Sequence, residues 1–369
     1  MNVLYVINDL SSGGAEKLVD DIVPILNENI NLNVEVLLLR ETNSVYQNLE
    51  NNNIKVTKLN VKNLYNPIVF FKIISFFKKN KYDIIHAHLF PTLYWVALAN
   101  LFNIRNKVKL IYTEHNVTNK RREKPFLNGI ERFIYSRYDK VICISEAVHT
   151  ELVHWLKIDS KQDDKFLTIY NGINTIMFRD AMQLDKSELY DEYQEADILL
   201  CMVARFAESK DHDTVIRAMY NLPSNFKLIL VGTGPREEHI RKLTIEYDLT
   251  DRVVFLGERN DVPKIMKTID FLIVSSNWEG FGLTAVEGMA AGKVVLASDV
   301  PGLNEVIRDK DLLFRKGSEI QLAQLISEIC NDNLLYEKKE KLSLNNANRF
   351  SLDEMAINYT KLYFREINE

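Results

Sequence analysis

Ser275-Ser276-Asn277-Trp278-Glu279-Gly280-Phe281-Gly282-Leu283-Thr284-Ala285-Val286-Glu287-Gly288-Met289-Ala290-Ala291-Gly292 is the stretch that decides the fold. It closes the apolar run Phe271 to Ser275 and continues into residues with helical apolar spacing. A buried strand thus ends in serines, turns through a Gly-x-Gly loop and opens a helix near Gly282 or Leu283. Free N–H groups at such a start, at the carboxyl end of a parallel strand, form an anion site. Glu279 stands beside the turn and Glu287 follows eight residues later on the helix. Two carboxylates would repel an anion there unless they accept hydrogen bonds from sugar hydroxyls. The plainer alternative is two solvated surface glutamates.

Working outward, this strand belongs to a series: Ile198 to Val203, Lys227 to Val231, Val253 to Leu256, Phe271 to Ser275 and Lys293 to Ser298. These runs are nearly all apolar, as parallel strands covered on both faces should be. An earlier series comprises Val3 to Asn8, Val34 to Leu39, Asp83 to His86, Val108 to Thr113 and Lys140 to Ile144, with amphipathic stretches between. The alternation is that of an α/β protein. Two Rossmann-like, doubly wound parallel sheets in tandem follow, one domain from 1 to 178 and one from 179 to 350, facing a cleft. Met182 to Glu195 is polar, a connector. Residues 351 to 369 read as a last helix, with Ser351 as N-cap and Glu354 completing a capping box.

Length and composition agree. The chain has 369 residues, more than one core usually serves. Apolar residues make up 46% and charged residues 26%, which excludes fibrous and disordered classes. Cys143, Cys201 and Cys330 lie far apart without a C-x-x-C pair, so a reducing cytoplasm is expected. No basic signal segment opens the chain and no apolar run reaches the length of a membrane span. The net charge of −5 divides unevenly, positive through residue 175 and negative after it. Nucleic acid is not an expected partner, while an anionic surface suits the first half.

Two further glycine loops follow strands. Ser11-Ser12-Gly13-Gly14-Ala15-Glu16 opens a helix containing Pro24, and serves either as a phosphate-facing backbone or as a tight βα turn. Gly232-Thr233-Gly234-Pro235 follows Lys227 to Val231, with Pro235 as the expected first helical residue and a simple turn as the favoured reading. His86 and His88 share one strand face and His115 follows the next strand; a zinc site is the rival reading of these three. Asp211-His212-Asp213 mimics a metal-binding triplet, but Asp211 reads as the N-cap of the next helix.

The set resembles the retaining glycosyltransferase family four, with its GT-B fold and E-x7-E signature. The resemblance adds Thr113-Glu114-His115-Asn116, Asn171-Gly172-Ile173-Asn174, Arg205 with Lys210, and Pro301-Gly302-x-x-Glu305 to the motifs above. It covers nearly the whole chain and implies retaining transfer of a hexosyl or N-acetylhexosaminyl group from a nucleoside diphosphate sugar, UDP favoured, to a glycan or polyprenyl-linked glycan. Arg205 and Lys210 would meet the diphosphate, Glu287 the ribose and Glu279 the transferred sugar. Amides at Phe281, Gly282, Leu283 and Gly14 would face the diphosphate, with Gly13 beside Gly14 and Gly232 of the loop after Lys227 to Val231 also counted in the donor site. The base would lie near Gly257, Arg259 and Val262, and His115 would reach an outer sugar hydroxyl. The first domain would bind the acceptor and carry the last helix. The family needs no metal, and the donor is a substrate, so no cofactor is implied. A nucleotide-sugar epimerase of the same fold and a non-catalytic binding module are the rivals.

Residues Pro67 to Lys81 are apolar around most of a helix and end in lysines. Packing on the sheet is the favoured reading, with docking on an anionic membrane as the alternative. Lys120, Arg121, Arg122 and Lys124 are expected to form a mobile basic loop that joins such a docking face at the inner side of the cell membrane.

Overall fold

A computed structural model describes residues 1–11, 13–40, 46–102, 108–117, 119, 121–158 and 164–368. Ser12 and Lys120 lie outside the described residues. The chain forms two compact units, Met1–Gly172 with Leu352–Glu369, and Ile173–Ser351. The boundary lies ahead of the expected 178, because Ile173 N donates to Phe350 O (2.9 Å) within the second unit.

Unit one holds the strands β1 (Asn2–Ile7), β2 (Asn33–Leu38), β3 (Val56–Lys58), β4 (Ile84–His88), β5 (Lys109–Glu114), β6 (Lys140–Cys143) and β7 (Phe166–Thr168). Its helices are α1 (Gly14–Asn27), α2 (Gln47–Asn51), α3 (Ile68–Lys79), α4 (Thr92–Asn100), α5 (Leu127–Ser136) and α6 (Glu146–Leu156). Unit two begins with α7 (Thr175–Arg179) and holds β8 (Ile198–Val203), β9 (Phe226–Val231), β10 (Val253–Gly257), β11 (Phe271–Val274), β12 (Val294–Ser298) and β13 (Leu313–Phe314). Its other helices are α8 (His212–Tyr220), α9 (Glu237–Glu246), α10 (Val262–Thr268), α11 (Leu283–Ala290), α12 (Leu303–Ile307), α13 (Glu319–Cys330) and α14 (Asn333–Ala347). Then α15 (Leu352–Asn368) returns to unit one.

Both sheets are wholly parallel. Their orders are β3-β2-β1-β4-β5-β6-β7 and β10-β9-β8-β11-β12-β13. Each order reverses direction once, between β1 and β4 and between β8 and β11, and at such a point the loops after the two strands diverge and leave a crevice. The first unit's core gathers Val3, Tyr5 and Ile7 of β1 and Val19 and Ile22 of α1 with Met355, Tyr359 and Tyr363 of α15. Gly172 N reaches Met355 Sδ at 3.2 Å.

The three strands that the sequence reading passes over, β3, β7 and β13, are only two or three residues long and lie at sheet edges. Strands that short carry too few alternating positions to show a period. The helix expected from Pro235 starts at Glu237, because Arg236 N donates to Phe206 O (3.0 Å) and holds Pro235 in the preceding turn. Asp211 caps α8, accepting from Thr214 N at 3.2 Å.

Candidate functional site

In unit two the loops after β8 and β11 flank the switch point, and they are zipped together. Lys210 and Ser276 form an antiparallel bridge, Asn277 N donates to Ser209 O (2.8 Å), and Asp211 N donates to Ser275 O (3.0 Å). The Asn277 side-chain amide adds a bond to Glu208 O (2.8 Å). Behind them, Ser298 Oγ accepts from Ser276 N and donates to Ser276 O, each at 2.9 Å. The sequence reading missed this serine clasp, which holds the candidate site's loops in place, although the serine run at the strand end was its visible trace.

The zipped loops bring two of the expected residues into contact. Lys210 Nζ is ion-paired with Glu279 Oε2, and Ser276 Oγ lies 3.4 Å from the ammonium. Both side chains are 20% exposed, so the pair is largely sheltered. Arg205, by contrast, is exposed and has no side-chain partner among the described residues. One cation is neutralised in advance and the other is presented to solvent.

Presentation of Arg205 depends on the glycine loop after β9. A Cβ on Gly234 would lie 2.4 Å from Phe206 O, and one on Gly232 would lie 2.1 Å from Ala204 O. Phe206 N donates to Thr233 O (3.0 Å), extending the β8–β9 ladder past both strands. Gly232 and Gly234 therefore let two backbones nest on either side of Arg205. A third nest lies opposite, where a Cβ on Gly302 would meet Glu279 O at 2.6 Å.

Gly282 adopts φ +98° as the N-cap of α11, Phe281 is buried against Phe350, and Leu283 begins the helix. The first N–H groups of α11 thus start beside Glu279, and Glu287 lies half-buried in the second turn. Gly257 O accepts from Gly232 N (2.7 Å), and Arg259 is paired with Asp261 (2.8 and 2.7 Å) just before Val262 opens α10.

In unit one, Gly13 is the N-cap of α1 and Gly14 its first residue. The Glu16 carboxylate folds against Gly13, 2.1 Å from where a Cβ would be, and burial raises its pKa. Any anion at this helix start shares its ground with Glu16. Across the β4–β5 pair, His86 is satisfied at both ring nitrogens by Tyr363 OH and Thr113 Oγ1, each at 2.7 Å. His88 Nδ1 meets His115 Nε2 at 3.2 Å, while His88 Nε2 is buried without a partner. Burial pushes His115 down to about 4 and His88 well below its usual range, so both are neutral at pH 7. Among the described residues no group of three or more His, Cys, Asp or Glu is arranged to hold a metal.

The basic loop after His115 is not the free cluster that the sequence suggested. Arg121 Nε donates to Glu131 Oε1 (2.6 Å), a carboxylate that also accepts from Trp155 Nε1 (2.8 Å) and Tyr94 OH (3.1 Å). Arg122 pairs with Glu114 (3.2 Å), which Tyr135 OH also reaches (2.6 Å). Their side chains are 17% and 9% exposed, so both arginines are consumed by buried carboxylates.

Two doubly wound parallel sheets, with chemistry at the carboxyl ends of the strands beside each switch point, define the GT-B class. Residues 12–176 match the profile described as Glycosyltransferase Family 4, and residues 190–349 match Glycosyl transferases group 1. An uncharacterized glycosyltransferase of Methanocaldococcus jannaschii is 30% identical over 292 residues, which are 76% of this chain and 75% of that one. The chain belongs to the group 1 glycosyltransferases. It is also 25% identical, over 96% of its length and 97% of the relative's, to a Campylobacter jejuni enzyme. That enzyme is the N-acetylgalactosamine-N,N'-diacetylbacillosaminyl-diphospho-undecaprenol 4-alpha-N-acetylgalactosaminyltransferase. Anabaena HepE, solved with UDP and glucose, superposes with a TM-score of 0.82 at 21% identity, covering 98% of this chain and 99% of that one.

Proposed function

We propose that the protein transfers an N-acetylhexosaminyl or hexosyl group, with retention of configuration, from a nucleoside diphosphate sugar to a lipid-linked glycan. The observation that carries the donor reading is the Lys210–Glu279 pair, lodged at the switch point between exposed Arg205 and the start of α11. Cations and a helix start provide for the diphosphate, and carboxylates provide for hydroxyls. Arg205 and Lys210 take the diphosphate, Glu279 the sugar and Glu287 the ribose.

In the step itself the bond from sugar C1 to the diphosphate oxygen breaks and its electrons leave with the diphosphate. The acceptor hydroxyl oxygen bonds to C1 on the same face, and its proton passes to the departing phosphate. Fixed cations stabilise the charge that accumulates on the leaving group without metal assistance. UDP is the preferred carrier, and the Campylobacter relative's diphospho-undecaprenol acceptor supports a polyprenyl-linked one here.

A panel of UDP- and GDP-sugars, read by nucleoside diphosphate release with a polyprenyl diphosphate glycan present, tests the reading. Turnover with one UDP-N-acetylhexosamine, unaffected by EDTA and giving an α-linked product from an α-linked donor, is the expected result. Inversion of the anomer, or loss of turnover on chelation with rescue by manganese, would overturn the mechanism. Sugar isomerisation without transfer would replace it with epimerisation.

A further inference from the structure

Of the three histidines at the ends of β4 and β5, His86 and His88 are buried and His115 is half-buried. We propose that His88 is a positioning residue, which holds the Nε2 side of the His115 ring and leaves the Nδ1–H of His115 as a fixed hydrogen-bond donor toward a sugar hydroxyl. The inference rests on the donor reading above, in which His115 is the residue expected to reach an outer hydroxyl of the transferred sugar.

The strands dictate the arrangement. His86 and His88 are two apart on β4 and share a face, His88 is in register with Thr113 of β5, and His115 follows directly after β5. The rings of Tyr5, His86 and His88 pack on one another, with centroids 4.8 Å apart for Tyr5 and His86, 4.9 Å for Tyr5 and His88, and 4.3 Å for His86 and His88. The base of this stack cannot turn. Both nitrogens of His86 are bonded, and the Tyr363 hydroxyl that meets one of them also bonds Tyr5 OH at 2.6 Å. Around His115 the backbone is fixed as well, because Asn116 N donates to Glu114 Oε1 (3.1 Å) and the Glu114 carboxylate is tied to Arg122 and Tyr135. What aims the His115 ring is then its bond to His88 Nδ1 at 3.2 Å, and its other nitrogen has no partner among the described residues.

The orphaned nitrogen of His88 decides where the protons lie. A proton on Nε2 would bury an N–H with no acceptor, whereas a bare Nε2 buries only a lone pair, and buried donors without acceptors are the rarer case. His88 therefore carries its proton on Nδ1 and donates it to Nε2 of His115. A neutral His115 must then hold its own proton on Nδ1, the side left for a ligand. Burial keeps both rings neutral at pH 7, and the other titratable groups packed on them, His86, Tyr5, Tyr359 and Tyr363, are neutral too. So arranged, His115 donates to a substrate oxygen and takes no proton from one.

Imidazole nitrogen NMR of the full chain, with no donor present, reads the proton positions directly, and the chain's 7 histidines can be assigned by single substitution. At pH 7 His88 and His115 should each show a protonated Nδ1 and a bare Nε2. His88→Leu should free Nε2 of His115, which then takes up the proton and titrates nearer its ordinary value. His88→Asn, whose amide offers a donor where Nδ1 stood, should restore the parental pattern. In transfer assays kcat/KM should fall about 5- to 30-fold in His88→Leu, the worth of one hydrogen bond, and recover in His88→Asn. Adding His88→Leu to His115→Ala should cost nothing further, since His88 acts only through His115. A proton on Nε2 of either ring in the parent overturns the proposal, as does a His115 ring unmoved by His88→Leu. So does transfer indifferent to His88→Leu, or a double variant markedly slower than His115→Ala. The expected ring pattern with no turnover on any donor would instead sink the transferase reading and the positioning role with it, so the two failures are told apart.

Discussion

Replacing Glu279 by Gln keeps the shape and hydrogen-bonding reach of the side chain while removing the charge that faces Lys210. In the structure that charge is paired with the Lys210 ammonium, which the proposed function assigns to the diphosphate. Two unit charges about 4 Å apart interact by about 4 kcal/mol at the effective dielectric of a protein surface. Lys210 has other donors to offer a phosphate while still touching Glu279, and each partner is 20% exposed. The net competition is then roughly 1 to 2 kcal/mol, a factor of about 5 to 30 in affinity. Calorimetry should therefore show UDP binding to Glu279→Gln tighter by that factor, with UMP, which lacks the second phosphate, changed by less than about twofold. Transfer should fall at the same time, because the amide replaces a charged acceptor of sugar hydroxyls. If the variant binds UDP no better than the parent, Glu279 does not hold Lys210 back, and the idea that donor arrival exchanges one ion pair for two ligand contacts is wrong.

Glu287→Ala should weaken nucleotide binding about 10- to 150-fold through loss of a charge-assisted bond, and unchanged affinity in calorimetry would remove Glu287 from the site. Gly234→Ala should cost about 1 to 3 kcal/mol, because its Cβ meets backbone that cannot yield; UDP affinity should fall along with the melting temperature. Gly257→Ala is the control, with φ +67° but nothing within 4 Å of the added carbon; it should cost only about 1 kcal/mol. Arg121→Glu places a second carboxylate against buried Glu131 and should destabilise the protein by about 3 to 5 kcal/mol, seen as a large drop in thermal midpoint. A parental midpoint would mean that the loop after His115 is free after all.

The central strands were legible because they are continuous apolar runs, and the loops at their ends because glycine has few other reasons to recur there. What stayed hidden was pairing across the fold. Lys210 and Glu279 are 69 residues apart, and no local pattern shows that one sits on the other. Arg121 and Arg122 look like a solvated basic run when read linearly. Their carboxylate partners, Glu131 and Glu114, lie on a helix and a strand that meet the loop only after folding. The glycines after β9 were read as a simple turn, and what that reading could not show is that their missing side chains make room for Ala204 and Phe206. A glycine reports close approach without saying what approaches.

The placement of α15 has a consequence for biosynthesis. Its residues Leu352, Met355, Tyr359 and Tyr363 complete a core begun by Val3 and Tyr5, with all of unit two encoded between. On the ribosome the first sheet emerges early, with Tyr5 OH and His86 Nδ1 both lacking the Tyr363 hydroxyl that they bond in the folded state. Unit two, whose residues are contiguous, can fold while the first sheet waits, reversing the usual order in which domains mature from the amino end. Nascent chains halted before residue 352 should therefore protect unit two from protease while leaving the older half open to cleavage.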